Sequence, residues 1–298
     1  YAQRLQRRAL KWAKDRAIPL CMISDAELRT KRNFFKWFIK SLYLHYLLKY
    51  ITLFLTVGDA NEDYYRHYGV HDRQLIRCFF PIDVKHYDTV LKDSESARKR
   101  VRYKLGKPTD HKVFLKVGKL VSWKRQMDLV HFSNGLQGKR DDVTVILAGT
   151  GPDEKKLRVH CKKKGPGGIV FAGFVMPDKL AEYYCAADVY AQCSSHEPHS
   201  LAISEAIYSG RPVIISDRCG SYGPTDDVRY GLNGLVYRCG DIIDLTNKLE
   251  FIINKNNVCS EMSDASLSIS RYHQRLSHQV ALKQMLSVLK MEHQETQG

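Results

Sequence analysis

The sequence predicts an α/β protein with two doubly wound, Rossmann-like domains, of which the first is incomplete. Short apolar runs of strand length alternate along the chain with segments of helical periodicity, as in a parallel sheet covered by helices. The alternation starts afresh after the polar segment Lys107-Pro108-Thr109-Asp110, which has the composition of a linker. A length of 298 residues is sufficient for two domains of ordinary size.

Residues 1–106 are interpreted as the last part of the first domain. Aromatic and leucine side chains recur every four positions from Phe34 to Tyr46 and predict a helix over 26–49. The apolar run Ile51–Val57 ends at Gly58 and predicts a central strand. The other predicted elements are helices over 3–16, 61–68 and 94–105 and strands over 18–23 and 75–80. The chain begins at Tyr1 and not at a methionine, and by comparison with the second domain we expect about 100 residues of the first domain to be missing.

Residues 107–258 are interpreted as a nearly complete second domain. Its predicted strands, separated by helices, cover 113–117, 143–148, 169–171, 188–192, 213–216 and 234–236. Residues 259–298 form the third predicted part, which contains one helix over about 270–290.

The positive charge is concentrated at the start of the chain. Residues 1–50 contain 12 lysines and arginines against 3 acidic residues, a net charge of +9 out of a total of +15. Three interpretations remain open: a solvated basic face, a surface that binds anionic lipid, or a nucleic-acid surface. The last has no accompanying nucleic-acid motif, and we expect no nucleic-acid partner.

The eight cysteines include no C-x-x-C pair, and several lie in apolar runs. This pattern favours reduced, buried thiols in a cytoplasmic protein over a disulfide framework. The most apolar stretch, Phe34–Val57, is interrupted by Lys36, Lys40, His45 and Lys49, so it is a poor candidate for a spanning helix.

Two acidic residues stand out in the segment 196–215. Glu197 follows the predicted strand 188–192, and Glu205 lies eight positions later on the next predicted helix. Ligands of open α/β sheets bind outside the carboxyl ends of the strands, so both carboxylates are expected to face one crevice. A carboxylate on such a helix can accept hydrogen bonds from both hydroxyls of a ribose.

The turn after the strand 113–117 has features of a phosphate site. Gly118 lacks a Cβ and would let a phosphate approach the backbone. Lys119 and Lys124 flank the turn into the next helix, where cations and a helix amino terminus could bind a diphosphate. A second glycine turn, Gly149-Thr150-Gly151-Pro152, lacks a complete phosphate-loop pattern and is interpreted as structural.

Together these segments resemble family 4 of the retaining glycosyltransferases, which have the GT-B fold of two facing Rossmann-like domains. The resemblance rests on five ordered elements: Gly118-Lys119-Leu120 with Lys124, Gly149-Thr150-Gly151-Pro152, Phe171-Ala172-Gly173-Phe174, the pair Glu197 and Glu205, and Gly210-Arg211-Pro212-Val213-Ile214. Val57-Gly58, Asn61, Tyr64-Tyr65, Tyr68-Gly69-Val70 and Phe80-Pro81-Ile82-Asp83 look like the end of the acceptor domain. The last helix looks like the one that crosses back to the first domain.

The resemblance implies a role for each matching position. Lys119 and Lys124 match the cations that hold the donor diphosphate, Glu205 the acid that binds ribose, and Glu197 the acid close to the transferred sugar. The segment Phe174-Val175-Met176 matches the wall for the nucleotide base. The backbone of His199-Ser200-Leu201 matches the amides that face sugar and phosphate. No cofactor and no essential divalent cation are implied.

The chain also departs from the family pattern. His199 and Ser200 stand where the family usually has an aromatic residue and a glycine, and Lys119 replaces a frequent arginine. The glycine-rich loop and the histidine of the acceptor domain cannot be assigned here. Cys193, His196 and His199 have ligand types suitable for zinc, but they straddle a predicted strand end and a loop, so we expect no metal site.

We therefore expect a retaining glycosyltransferase that transfers a hexose from a nucleotide-diphosphate sugar to a glycan or lipid-linked acceptor. It would act in the cytoplasm, with residues 1–50 touching an anionic membrane face. Lys119, Lys124 and Glu197 would carry the catalysis. Three alternatives stay open: a non-catalytic fragment or pseudoenzyme that binds nucleotide-sugars, another enzyme on this fold such as an epimerase, and an interaction module that acts through its basic first fifty residues.

Overall fold

The structure, a computed structural model, describes residues 4–29, 34–136, 138–161, 168–275 and 278–295. It contains two parallel sheets, one of three strands and one of six, within the α/β class that the sequence predicts. The chain divides into two compact units, one formed by Tyr1–Pro81 with His273–Gly298 and the other by Ile82–Tyr272.

The first unit is built on the parallel strands β1 (Cys21–Ile23), β2 (Leu53–Thr56) and β3 (Leu75–Arg77), in that order across the sheet. Its helices are α1 (Arg4–Lys14), α2 (Phe34–Leu48), α3 (Asp59–His67) and, from the end of the chain, α12 (His278–Glu295). Successive residues of β2 enter opposite cores: Phe54 packs with side chains of α2 and α3, and Leu53 packs with Ala281 of α12.

The second unit has a six-stranded parallel sheet with the order β6-β5-β4-β7-β8-β9. The strands are β4 (Lys112–Val117), β5 (Val143–Ala148), β6 (Gly168–Gly173), β7 (Val189–Gln192), β8 (Val213–Ser216) and β9 (Gly234–Tyr237). The chain progresses outward from β4 to β6 and then restarts on the other side at β7. The strand order therefore reverses between β4 and β7, which is the place where doubly wound sheets form a ligand crevice.

Helices cover both faces of this sheet. They are α4 (Val84–Leu91), α5 (Ser94–Lys104), α6 (Gln126–Leu136), α7 (Glu154–His160), α8 (Pro177–Ala186), α9 (Leu201–Tyr208), α10 (Ile242–Asn254) and α11 (Asn256–Arg275). Phe114 of β4 packs with Leu129 of α6 and Leu249 of α10, whereas Leu115 packs in the opposite core with Ile203 of α9. Two separate apolar cores therefore hold the central strands between two helical layers.

The division between the units differs from the boundary predicted at Gly106. Residues 82–106 belong to the second unit because α4 and α5 pack on α8. Arg98 and Arg102 of α5 both donate to the Asp188 carboxylate at the start of β7, at 2.8 and 2.9 Å. Arg102 is fully buried and also donates to the carbonyls of Ala186 and His111, which ties α5 to the base of the sheet.

Several predicted boundaries differ from those observed. The helix predicted over 26–49 covers only 34–48, since 24–29 are not helical and 30–33 lie outside the described residues. The helix predicted over 270–290 falls on the end of α11 and on most of α12, and residues 276–277, between them, lie outside the described residues. In the part of the chain that the structure describes, no helix combines the length and apolarity needed to cross a membrane.

Candidate active site

The loops after β4 and β7 meet at the carboxyl ends of these two strands. Their backbones are joined at Trp123, whose carbonyl accepts hydrogen bonds from the Ser195 amide at 2.7 Å and from the Ser195 hydroxyl at 3.2 Å. Lys124 follows Trp123 directly, and Glu197 lies two residues after Ser195. The joined loops therefore bring together two residues that are 73 positions apart in the sequence.

Lys124 and Glu197 form an ion pair in which Lys124 Nζ donates to Glu197 Oε2. Their side chains are 20% and 14% exposed, so the pair lies at the edge of solvent. The same oxygen accepts from Gln192 Nε2 at 2.9 Å and from Ser194 Oγ at 3.0 Å. Three donors on one oxygen fix the position of the Glu197 carboxylate.

A second cation, Lys116, lies fully buried near the end of β4. Its Nζ donates to Gln192 Oε1, which also accepts from the Tyr190 hydroxyl at 2.9 Å. Burial and, to a lesser extent, the positive charge of Lys124 lower the pKa of Lys116, and the Glu197 carboxylate opposes them, so that the pKa is about 8. Two amines therefore lie near the Glu197 carboxylate: that of Lys116 is fully buried, and that of Lys124 lies at the edge of solvent.

The lowered pKa of Lys116 predicts a pH dependence of stability. Unfolding returns this lysine to water, where its pKa is 10.5, so between pH 8 and 10.5 the unfolded chain binds more protons than the folded one. Stability therefore rises with pH across this window. Relative to Lys116→Met, we expect the wild type to gain about 2 kcal/mol in unfolding free energy between pH 7.5 and 10.

Urea unfolding of both proteins at these two pH values measures the effect. The variant serves as the reference because all other titrating groups are shared. Equal pH slopes for the two proteins would contradict the lowered pKa of Lys116.

Glu205 lies one turn into α9. It accepts a hydrogen bond from the Tyr184 hydroxyl of α8 at 2.9 Å. Burial raises the pKa of Glu205, and the hydrogen bonds from tyrosine hydroxyls act in the opposite direction. The carboxylate is thus half-buried and held by tyrosine hydroxyls, and it keeps acceptor capacity for a ligand hydroxyl.

The turn at Gly118 is open to a ligand. Gly118 has φ +132°, a left-handed value that favours glycine, and a methyl group added there would meet nothing within 4 Å. The side chain of Lys119 is exposed and makes no ion pair with any residue that the structure describes. Lys119 is therefore available to a bound anion, whereas Lys124 already has an acidic partner.

The second glycine turn supports the first. A methyl group added at Gly149 would lie 2.8 Å from the carbonyl carbon of Gly118, and one at Gly151 would lie 2.7 Å from that of Leu120. The Leu120 amide donates to the Thr150 carbonyl at 3.0 Å. Gly149 and Gly151 thus let the two turns pack backbone against backbone, in agreement with the structural interpretation of this segment.

The segment 174–176 follows β6 and presents two large exposed side chains. Phe174 is 68% exposed and Met176 is 57% exposed, while Val175 packs partly into the core. Exposed apolar side chains beside the carboxyl end of a strand can form one wall of a pocket for a planar base. The predicted role of this segment stays a prediction.

The loop before α9 is held by the segment 219–221. The Gly220 amide donates to the Glu197 carbonyl at 2.7 Å, and the Ser200 amide donates to the Ser221 hydroxyl at 2.9 Å. Of the three amides predicted to face a donor, that of Ser200 is therefore engaged within the protein. Leu201 begins α9, so its amide has no acceptor inside the helix and can donate to an anion.

The grouping considered for zinc, Cys193 with His196 and His199, does not form. Cys193 packs into the core beside Tyr237, and His196 is exposed. His199 is instead buried with its Nε2 3.4 Å from Asp226 and 3.8 Å from Asp227.

Among the described residues, the three side chains His199, Asp226 and Asp227 are close enough to share a cation, with ligand atoms within 4.8 Å of one another. The same geometry also suits an ion pair between a protonated His199 and the carboxylates of Asp226 and Asp227.

No role was predicted from the sequence for the side chains of Lys116, Gln192 and Ser194, nor for Gly220 and Ser221. Lys116 and Gln192 did carry a signal, because each is a polar residue near the end of an otherwise apolar strand. Gly220 and Ser221 gave none, because their importance depends on a loop contact that the local sequence does not show.

The model of the glycosyl transferases group 1 family matches residues 97–268, more than half of the chain. This chain belongs to the group 1 glycosyl transferases. The match covers the sheet, the glycine turns and the Glu197–Glu205 pair, and it confirms the resemblance to family 4 and the GT-B fold.

Curated relatives of this chain align over parts of their length. The lipopolysaccharide core biosynthesis glycosyltransferase LpsE of Rhizobium meliloti is 32% identical over 164 residues, 55% of this chain and 46% of that protein. The GDP-mannose-dependent alpha-mannosyltransferase of Corynebacterium glutamicum is 34% identical over 133 residues, 45% of this chain and 28% of that protein. The chain spans less than half the length of these relatives.

Solved structures of other proteins share the fold of this chain. HepE of Anabaena in complex with UDP superimposes with a TM-score of 0.72 at 19% identity, over 95% of this chain and 75% of that one. A sucrose-phosphate synthase of Thermosynechococcus elongatus gives a TM-score of 0.65 at 19% identity, over 91% and 64%. At this level of identity the likeness shows the fold alone.

Proposed function

We propose that the protein is a retaining glycosyltransferase that transfers a hexose from a nucleotide-diphosphate sugar to a glycan or lipid-linked acceptor. The observation that carries this proposal is the Lys124–Glu197 ion pair at the point where the strand order of a group 1 glycosyl transferase reverses. Gly118 and Lys119 lie beside it on one loop, and Glu205 lies one turn into the following helix. Gly118, Lys119 and Lys124 suit a diphosphate. Glu197 suits a sugar, and Glu205 suits a ribose.

The chemistry follows from where charge develops. In the transition state the sugar gains oxocarbenium character, as in glycoside hydrolysis. Negative charge grows on the departing diphosphate, where Lys124, the exposed Lys119 and the amino terminus of α9 would stabilise it. The leaving phosphate can accept the proton of the acceptor hydroxyl, so the proposal needs no protein nucleophile. Glu197 would orient the transferred sugar by accepting from its hydroxyls.

Nucleotide binding tests the donor site directly. We expect this chain to bind one of UDP, GDP and ADP saturably in a calorimetric titration, and we expect Glu205→Ala to weaken that binding about tenfold or more by removing the acceptor for ribose hydroxyls. The comparisons favour both UDP and GDP, since HepE structures contain UDP and one relative uses GDP-mannose.

Glu261→Ala provides the matched control, because Glu261 is an exposed acid of α11 in the same unit and should leave binding unchanged. No binding of any of the three nucleotides by the wild type would contradict the proposal. Equal binding by wild type and Glu205→Ala would remove Glu205 from the site.

A second candidate is a non-catalytic protein that binds nucleotide-sugars. The departure at His199 and Ser200 favours it, because the Ser200 amide is engaged with Ser221 instead of facing the crevice. This candidate gives nucleotide binding without donor hydrolysis or transfer in the complete protein, an outcome that the first proposal forbids.

We also propose that the first unit contacts an anionic lipid surface on the cytoplasmic face of a membrane. Helix α1 has exposed cations alongside exposed Leu5 and Trp12, and α2 exposes a further apolar set. The exposed basic residues of α1 are Arg4, Arg7, Arg8, Lys11 and Lys14, and the exposed residues of α2 include Phe38, Ile39, Leu42 and Tyr46. Basic residues beside apolar ones suit peripheral binding to anionic headgroups.

Vesicle flotation measures this binding. We expect vesicles with anionic lipid to carry more protein than neutral vesicles, and the difference to shrink in high salt. Equal flotation with both lipids would contradict the proposal, as would an Arg4→Glu/Arg7→Glu/Arg8→Glu variant that floats like the wild type.

A further inference from the structure

A row of buried polar side chains lies directly beneath the Lys124–Glu197 pair. Between the neighbouring strands β4 and β7, Phe114 pairs with Val189 and Leu115 pairs with Tyr190. Beyond it Lys116 and Gln192, each 1% exposed, are joined by a hydrogen bond from Lys116 Nζ to Gln192 Oε1. Burying an amine and an amide between central strands costs desolvation free energy, so a purely apolar pair would be the simpler way to build this core.

The donors around Gln192 determine which way its amide points. Its oxygen accepts from Lys116 Nζ and from the Tyr190 hydroxyl, so its nitrogen faces Ser194 Oγ at 3.1 Å and Glu197 Oε2 at 2.9 Å. Reversing the amide would place an NH₂ group against an ammonium and would turn an oxygen toward a carboxylate. Lys116 therefore holds Gln192 in the one orientation that donates to Glu197.

The consequence is seen at Glu197. All the hydrogen bonds of its carboxylate go to Oε2, which accepts from Lys124, Gln192 and Ser194. Within the described part of the chain, Oε1 has no hydrogen-bond partner and so keeps its acceptor capacity. A carboxylate fixed through one oxygen presents the other in a defined place, which is what an acceptor for sugar hydroxyls requires.

We propose that Lys116 is a positioning residue, which acts through the amide of Gln192 to hold Glu197 and Lys124 in their working geometry. This inference rests on the proposed function, because Glu197 and Lys124 are the groups that would meet the donor. Lys116 itself is buried and lies beneath these groups, so it acts without contact to the donor. Tyr190, the other donor to the Gln192 oxygen, assists it.

The test uses the complete protein and the nucleotide sugar that matches the nucleotide it binds: UDP-glucose, GDP-mannose or ADP-glucose. Lys116→Met removes the ammonium and keeps the length of the side chain. We expect it to lower kcat about tenfold or more, since small displacements of a reacting group cost that much, while Kd for the free nucleotide stays within about threefold. Tyr190→Phe, which keeps the ring, should lower kcat in the same direction and by less.

A double-mutant cycle shows whether Lys116 acts through Gln192. If it does, Lys116→Met with Gln192→Leu loses no more activity than Gln192→Leu alone. Lys112→Met is the matched control, because it removes a lysine from the opposite end of the same strand, and its kcat should equal that of the wild type.

Three results would overturn the inference: an unchanged kcat in Lys116→Met, losses that multiply in the double variant, or a loss of nucleotide affinity that matches the loss of kcat. The last would show a direct charge effect on the diphosphate. Wild-type protein that neither hydrolyses nor transfers the sugar would contradict the proposed function as well, whereas active wild type with any of the three results contradicts the positioning role alone.

Discussion

Lys124→Ala should lower the turnover of the complete protein at least about 30-fold. Lys124 is the cation held against Glu197 at the reversal of the strand order, where the diphosphate of a donor would lie. Removing a preorganised donor of this kind from a site where negative charge develops commonly costs two to three orders of magnitude. The binding of free nucleotide should weaken less than turnover, because the charge on the diphosphate grows in the transition state.

The variant should still fold, because Glu197 keeps hydrogen bonds from Gln192 and Ser194 after Lys124 is removed. Lys155→Ala is the matched control: it changes the net charge equally, and Lys155 is an exposed residue of α7. Steady-state kcat with a saturating nucleotide sugar measures the effect, and near-identical unfolding midpoints confirm that the fold is intact. Turnover unchanged from wild type would remove Lys124 from the site.

Lys119→Ala gives an informative comparison within the same turn. Lys119 is exposed and has no ion pair in the described part of the chain, so its charge is more strongly screened than that of Lys124. A smaller loss of turnover is therefore expected, and it should grow as the ionic strength is lowered. The sequence predicts the same role for Lys119 and Lys124. Their different environments lead us to expect different losses of turnover.

The sequence predicted the second sheet well because its information is local. Every strand of that sheet contains a short apolar run bounded by glycine, proline or polar residues, and such runs are visible without knowing their neighbours. The turn at Gly149 and Gly151 was also interpretable, since two glycines next to a strand end indicate a close backbone approach. The fold class and the position of Glu197 after a strand follow from these local signals.

The contacts within the site depend instead on strand order. Lys116 and Gln192 are 76 positions apart and meet because β4 and β7 are neighbours where the sheet order reverses. No property of either segment shows that neighbourhood, so the polar residues looked like isolated irregularities in apolar strands. The extra helix α4 and the allocation of 82–106 to the second unit were missed for the same reason: packing on α8 decides them, not periodicity.

Gly220→Ala should reduce both turnover and stability, although Gly220 would touch no ligand. A methyl group at this position would lie 2.9 Å from the carbonyl carbon of Pro198 and closer still to its oxygen, so the backbone that follows Glu197 would have to move. The Gly220 amide also donates to the Glu197 carbonyl at 2.7 Å, which couples any displacement to that residue. We expect a loss of about 1–3 kcal/mol in unfolding free energy from overpacking.

Turnover should fall about tenfold or more, because a displacement of Glu197 by a fraction of an ångström disturbs its contacts with Lys124 and with the donor. Gly135→Ala is the control: Gly135 lies in α6, a methyl group there meets nothing within 4 Å, and alanine favours a helix. That variant should be as active as wild type and slightly more stable. Full activity in Gly220→Ala would show that the loop absorbs the added methyl group without moving Glu197, and the rigid support inferred for this carboxylate would then be wrong.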